Sequence, residues 1–319
     1  MVALRKFQTL VDLLLYFKDE QTCRDYLELI RWNGKIVCPY KECKHDHVFK
    51  YTDGKRYKCA KCQRQFSVKV GTIFEDSKIT LQKWFAAIYL ITSHKKGISS
   101  LQLHRDLGVT QKTAWFMLHR VRHTLLVSPS EKLTGIIEAD ETFIGGKEAN
   151  KHKSKQTANT QGRSSKTKTP VLGIIERGGQ LRAIKILNTK GYSIRPFIVK
   201  NVEFGSTVHT DEWWGYRGLA RIFKHQYINH GQGEYAKDGV HTNSIEGFFS
   251  QFKRMIYGIY HQVTPKHLGR YCDEMAFRYN SRKIKDPLRF TLSLKQTEGR
   301  LTWNQLTAKK PLSLVSDKL

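Results

Sequence analysis

Apolar side chains recur at helical spacing along most of this chain and at strand spacing over one block in its middle. Phe7 to Phe17 carries Leu10, Leu13, Leu14 and Phe17 on one face, and Asp19 to Arg31 carries Tyr26, Leu27 and Ile30 on one face, so two short packing helices are expected. Val48, Phe49, Tyr51 and Tyr57 then suggest a small β ribbon. From Ile79 to His94, Leu81, Trp84, Phe85, Ile88 and Tyr89 share a helical face, and a second helix is expected from its N-cap Ser99 to Leu107, stopped by Gly108. Thr110, Gln111, Lys112 and Thr113 open a third, with Ala114, Met117, Leu118 and Val121 inward and Arg120, Arg122 and His123 outward. Helix, glycine turn, and a helix opening on short polar residues is the helix-turn-helix arrangement, whose last helix enters the DNA major groove.

The pattern changes at Gly135. Gly135 to Asp140 reads as a buried strand with Glu138 and Asp140 on one face and Glu141 on the other. Strands are expected again at Val171 to Glu176 and Leu181 to Leu187, around the turn Arg177 to Gln180, then a short helix at Ile194 to Val199 and a strand ending at Asp211. Trp213, Trp214 and Tyr216 are expected to open a further helix as core residues. Past a polar loop, Gly231 to Asp238, the helix containing His241 to Lys253 has Ile245, Phe248, Phe249, Phe252 and Ile256 on one side and Asn243, Glu246, Ser250 and Lys253 in a polar stripe on the other. Leu268, Tyr271, Met275, Phe277 and Tyr279 mark a last long helix, and the tail after Asp286 has weak periodicity. Three strands, a helix, a strand and later helices bearing a carboxylate is the order of an RNase H-like fold. The expected class is multidomain α+β: N-terminal helices and a ribbon over 1–70, a helix-turn-helix over 75–128, an RNase H-like α/β domain with a mixed sheet over 133–286, and a C-terminal tail over 287–319.

Charge adds a partner to this outline. The 319 residues hold 55 Lys and Arg against 28 Asp and Glu, a formal charge of +27, so the chain would repel itself unless it works beside a polyanion. Nucleic acid is favoured over an anionic membrane, because the early apolar run Leu10 to Phe17 is broken by Asp12 and far below spanning length. The start lacks the layout of a signal peptide, and a cytoplasmic, nucleoid-associated protein is expected. Between 147 and 168 there are seven Lys or Arg against one Glu amid small polar residues, a basic loop suited to lie along DNA through Lys151, Lys153 and Lys155. On the third helix, Gln111, Lys112, Thr113 and Arg120 are the expected DNA contacts.

Two residue sets point to metals. Cys38 and Cys43, followed by Cys59 and Cys62, form paired knuckles of the kind that hold one structural zinc, with His45 and His47 close by but expected to face solvent. The other two of the six cysteines, Cys23 and Cys272, are expected as small buried side chains. Asp140 and Asp211, each after a β-like run, and Glu246 on its helical stripe can converge on a pair of magnesium ions. Lys253, two turns beyond Glu246, is placed to hold a phosphate.

At RWNGKIVCP (Arg31 to Pro39), ADETFIGGK (Ala139 to Lys147), VHTDEWWGY (Val208 to Tyr216), HTNSIEGFFSQFKR (His241 to Arg254) and RYCDEMAFRYNSR (Arg270 to Arg282), the chain resembles bacterial insertion-sequence transposases of the zinc-ribbon, RNase H-like type. The resemblance spans nearly all of Thr9 to Arg282. It implies cutting and strand transfer of double-stranded DNA at transposon ends, a homo-oligomer on that DNA, and Asp140 and Asp211 as first and second magnesium ligands. The family pattern leaves the third ligand between Asn243 and Glu246. Glu246 is favoured because a carboxylate compensates a dication better than an amide, with Asn243 as a neighbour or second ligand. The first knuckle departs from the family in having four intervening residues where two are usual. A rival reading, a regulator derived from a transposase, would keep the DNA-binding parts without reason to retain Asp140, Asp211, Glu246 and Lys253 together.

Overall fold

The computed structural model describes residues 7–125, 131–158, 164, 166–232, 234 and 236–308. They form two compact units, one drawing on both ends of the chain and one on its middle. In the first, α1 (Leu10–Tyr16) starts at a capping box between Thr9 and Asp12, and α2 (Glu20–Trp32) runs from its N-cap Asp19 to a left-handed Asn33. A three-stranded antiparallel ribbon follows, β1 (Val48–Lys50), β2 (Tyr57–Cys59) and β3 (Gln65–Phe66). Then come α3 (Leu81–Ser93), α4 (Ser100–Leu107) and α5 (Gln111–Thr124), each started by a hydroxyl N-cap, Thr80, Ser99 and Thr110. Gly108, at φ 59°, ends α4 in the left-handed region, where glycine has no Cβ to strain.

The middle unit is a five-stranded mixed sheet with helices. β4 (Ile136–Ile144), β5 (Thr169–Glu176) and β6 (Leu181–Lys185) pair antiparallel, and β7 (Thr207–Asp211) and β8 (Lys224–Ile228) add on in parallel, giving the order β6-β5-β4-β7-β8. The crossover into β7 is α6 (Gly191–Asn201), and α7 (Asn243–Met255) and α8 (Leu268–Asn280) come later. Strand alternation separates two cores. Ile137, Ala139, Leu172 and Ile174 pack with Ile194 and Ile198 of α6, whereas Ile144, Val171 and Ile175 pack with Ile245, Phe248, Phe249 and Phe252 of α7 and with α8.

Three expectations change. β8 reads KHQYI and escapes the pattern, because as an edge strand it buries little besides Ile228. Trp213 to Tyr216 makes a tight 3-10 turn rather than a helix: Tyr216 is core, but Trp214 is 67% exposed. The segment after Asp286 is structured: α9 (Asp286–Lys295) and α10 (Trp303–Thr307) belong to the first unit, where Phe290 meets Phe17 and Phe85. Parts of that tail (309–319), of the basic loop (159–163 and 165) and of the polar loop (233 and 235) lie outside the described residues. No described helix is long and apolar enough to cross a membrane.

Candidate active site

β4 and β7 run parallel as neighbours, with Glu138 opposite His209. Continuing that register by two residues brings Asp140 level with Asp211, where β7 ends. On its other side Asp140 pairs with Gly173 of β5. A Cβ on Gly173 would lie 2.7 Å from Ile245 Cδ1 and 2.9 Å from Phe249 Cζ, so the missing side chain is what lets α7 close onto the sheet beside Asp140.

The start of α7 is held by a carboxylate from that strand. Its N-cap, Thr242, makes no side-chain capping bond. Glu138, fully buried, instead accepts the backbone N–H groups of Ser244 (2.7 Å) and Ile245 (3.1 Å), and also the Ser244 hydroxyl (3.0 Å). A negative charge there satisfies orphan donors and meets the positive end of the helix dipole. Arg177 Nε donates to Glu138 (2.9 Å), and the same guanidinium reaches the carbonyls of Gly239 and His241 and the ring nitrogen of His209 (3.2 Å). β4, β7 and the approach to α7 thereby share one buried polar knot.

Electrostatics couples the predicted carboxylates. Desolvation, followed by the charges of Glu141, Asp211 and Glu246, holds the Asp140 carboxyl well above the usual carboxylate range, against the pull of a bond from the Glu141 N–H (2.7 Å). Asp211 accepts the Trp213 N–H (3.1 Å), and Glu246 accepts the Thr242 hydroxyl (2.7 Å). Glu141 faces the other layer, as alternation requires, and accepts the Tyr216 phenol (2.6 Å). Asn243, Glu246, Ser250 and Lys253 line the exposed side of α7, opposite the buried Ile245, Phe248, Phe249 and Phe252.

Among the described residues, Cys38, Cys43, Cys59 and Cys62 are the group whose ligand atoms all lie within 4.8 Å of one another; the three carboxylates stand wider. Sγ separations are 3.8 Å for Cys38 to Cys62 and 3.6 Å for Cys43 to Cys59. Thiolates about 2.3 Å from a tetrahedral zinc stand about 3.8 Å apart, so the four fit that ion despite the longer first knuckle. Burial pushes the Cys38 thiol up to about 12, while the Arg64 backbone N–H draws Cys62 down to about 6, toward the thiolate a metal takes. His45 and His47 stay outside the cluster.

The expected DNA contacts fare unevenly. Gln111 and Lys112 are exposed at the start of α5 and Thr113 is half-buried; Gln111 bonds Ser100, and the Lys112 ammonium sits over the Trp303 ring. Lys151, Lys153 and Lys155 are exposed among short 3-10 turns, with Lys151 paired to Glu148. Arg120 corrects the sequence reading: it is buried and donates to the carbonyls of Leu301 (3.0 Å), Ile73 (2.7 Å) and Glu75 (3.0 Å), so it ties α5 to its own unit instead of facing DNA. Arg122 is buried too.

Sequence reasoning missed the roles of Glu138 and Arg177. A buried acid two residues before Asp140 on the same face was a usable signal, but Arg177 read only as a turn residue. Residues 132–280 match the ISXO2-like transposase domain, and residues 18–65 match a transposase zinc-ribbon domain. A protein of Halobacterium salinarum, described as an uncharacterized protein in transposable element ISH50, is 30% identical over 252 residues, covering 75% of this chain and 84% of that protein.

Proposed function

Starting from the chain's membership of the zinc-ribbon insertion-sequence transposases with an ISXO2-like domain, we propose that it cuts double-stranded DNA at transposon ends and transfers the cut strand to target DNA, with Asp140, Asp211 and Glu246 as a DDE-type catalytic set. One relationship supports this reading: the parallel register of β4 and β7, continued two residues past Glu138 and His209, would bring Asp140 level with Asp211, and the Glu246 charge acts on Asp140. Three oxygen donors whose charges oppose one another's ionisation fit hard dications. Two magnesium ions held there would supply an activated water for cleavage, then a polarised 3′-hydroxyl for strand transfer, and charge for the leaving oxygen.

The chain's own residues do the rest. Glu138 and Gly173 set where α7 lies, and so where Glu246 meets the aspartates. Lys253, exposed on the Glu246 stripe, holds a phosphate near the scissile bond, and Asn243, one turn before Glu246, steadies the site as a neighbour or second ligand. The sheet order supports an RNase H-like reading of 133–286, and α3 to α5 support a helix-turn-helix over 75–128 whose α5 start, Gln111 to Thr113, meets the major groove. The ribbon carries one structural zinc, and Lys151, Lys153 and Lys155 contact phosphates. One carboxylate set per chain serves one DNA end, so two or more chains act on an element, in the cytoplasm beside the nucleoid.

The test is cleavage of a labelled duplex joining the element's own end to its flank, across a magnesium titration. Glu246→Gln should cut about a hundredfold to a thousandfold more slowly while still binding the end, and Asn243→Ala should lose about tenfold to a hundredfold. Normal cutting by Glu246→Gln alongside a dead Asn243→Ala would make asparagine the third ligand. No cutting by the parent chain at any magnesium concentration would favour a DNA-binding regulator instead.

A further inference from the structure

The turn after Asp211 is built to present one aromatic ring. The Trp213 N–H is bonded to Asp211 (3.1 Å), and its indole N–H donates to the Thr189 carbonyl (2.8 Å). A Cβ on Gly215 would lie 2.6 Å from that same carbonyl oxygen, so the turn closes only on glycine. Tyr216 is buried and bonded to Glu141. Trp214 sits between these fixed points and is 67% exposed, three residues from Asp211. The Arg217 guanidinium lies 3.2 Å from its ring centroid, covering one face and leaving the other to solvent.

Arg217 also belongs to a groove of about 720 Å³ lined by Tyr192, Arg195 and Arg221 among others, with no acidic residue among its described lining. Arg195 is held in it by the carbonyls of Gly191 (3.2 Å) and Arg217 (3.1 Å). An open indole face beside a second candidate metal ligand, continuous through Arg217 with a cationic groove, matches single-stranded nucleic acid: a base stacks on the ring and the phosphates follow the arginines.

Resting on the function proposed above, we propose that Trp214 and the Arg195–Arg217–Arg221 groove bind an unpaired stretch of DNA strand next to the cleavage site, with Trp214 stacking one base. Bases inside a paired duplex are stacked on both faces and leave none for the ring. The surface therefore selects DNA opened at the site over DNA that is fully paired.

The experiment compares binding of the full chain to a labelled blunt duplex of about 20 base pairs and to the same duplex with a single-stranded extension of about five nucleotides, without magnesium, over a range of salt. Trp214→Ala should weaken binding of the extended duplex about tenfold or more and leave the blunt one unchanged, and Trp214→Phe should restore most of the difference. The double variant Arg195→Ala/Arg221→Ala should lower the salt slope for the extended duplex by about 1.4, two contacts at about 0.7 each on a single strand. Each variant is compared at a melting temperature matching the parent. Affinity and slope equal to the parent's in Trp214→Ala and the double variant would overturn the proposal, and if the parent still cuts transposon ends, it falls alone. Binding as expected by a parent that never cuts would sink the catalytic reading and leave this one standing.

Discussion

Glu138 accepts the backbone N–H of Ser244 at 2.7 Å, joining the strand that bears Asp140 to the helix that bears Glu246 through one buried carboxylate. Glu138→Gln removes the charge, puts an N–H where an acceptor is needed, and strips Arg177 of its ionic partner. Breaking such a buried pair costs about 3 to 5 kcal/mol, and the low end is expected because Arg177 is partly exposed. Urea denaturation reads this directly. A loss well under about 1 kcal/mol would mean that α7 is held by its apolar face alone.

Gly173 tests the same junction by volume. Gly173→Ala forces Ile245 and Phe249 back from the sheet, a strain of about 1 to 3 kcal/mol. Ile245→Val in the same chain should recover part of the lost melting temperature. Failure of the second change to recover anything would show that the added methyl is accommodated elsewhere.

Asp140 carries a sign that can be checked. Its folded-state pKa is raised, so the native state keeps the proton after the unfolded chain has lost it, and stability falls as pH climbs from about 3.9 through the raised value. Above the unfolded value the side chain costs the folded state stability. Asp140→Asn should therefore melt higher than the parent in magnesium-free buffer, by about 2 to 4 °C for each kcal/mol relieved. Magnesium should raise the parent's melting temperature and barely move the variant's. A variant that melts lower without magnesium would contradict the mutual repulsion described for these carboxylates.

For the ribbon, elemental analysis of the purified chain should find about one zinc, and Cys59→Ser should release it and unfold β1 to β3. Full zinc retention in that variant would remove Cys59 from the ligand set.

Arg120 and Lys112 separate packing from DNA contact on one helix. Arg120→Ala leaves three buried carbonyls without their cationic donor and should cost about 3 kcal/mol of stability. Lys112→Ala should leave stability nearly unchanged and reduce the salt slope of DNA binding by about one. The opposite assignment of effects would return Arg120 to the surface.

Features written in local spacing were legible before the structure. The cysteine knuckles, the N-cap Ser99, the opening of α5 at Thr110 to Thr113, and the two faces of α7 each follow from residues a few positions apart. Contacts between distant segments were not. Arg120 reads as a surface charge until Ile73, Glu75 and Leu301 supply its solvation, and Arg177 reads as a turn residue until the fold brings it to Glu138. Trp214 reads as core because aromatic residues usually are, and only the closure of the turn at Gly215 turns it outward. β8 was missed for a third reason, since a strand covered on one edge only has no need of a continuous apolar pattern.

The parallel ladder between β4 and β7 also governs which changes of length this lineage can survive. Asp140 and Asp211 each lie two residues past the last paired position of that ladder, Glu138 opposite His209, so the register and not the number of residues strung between them sets their relation. The exposed connection at 147–158 is thus free to gain or lose residues over evolutionary time, whereas the turn between β5 and β6 is not, because it carries Arg177. Deleting a single residue inside β7 ahead of Asp211 would turn that aspartate to the opposite side of the sheet, and no change elsewhere in the chain could bring it back.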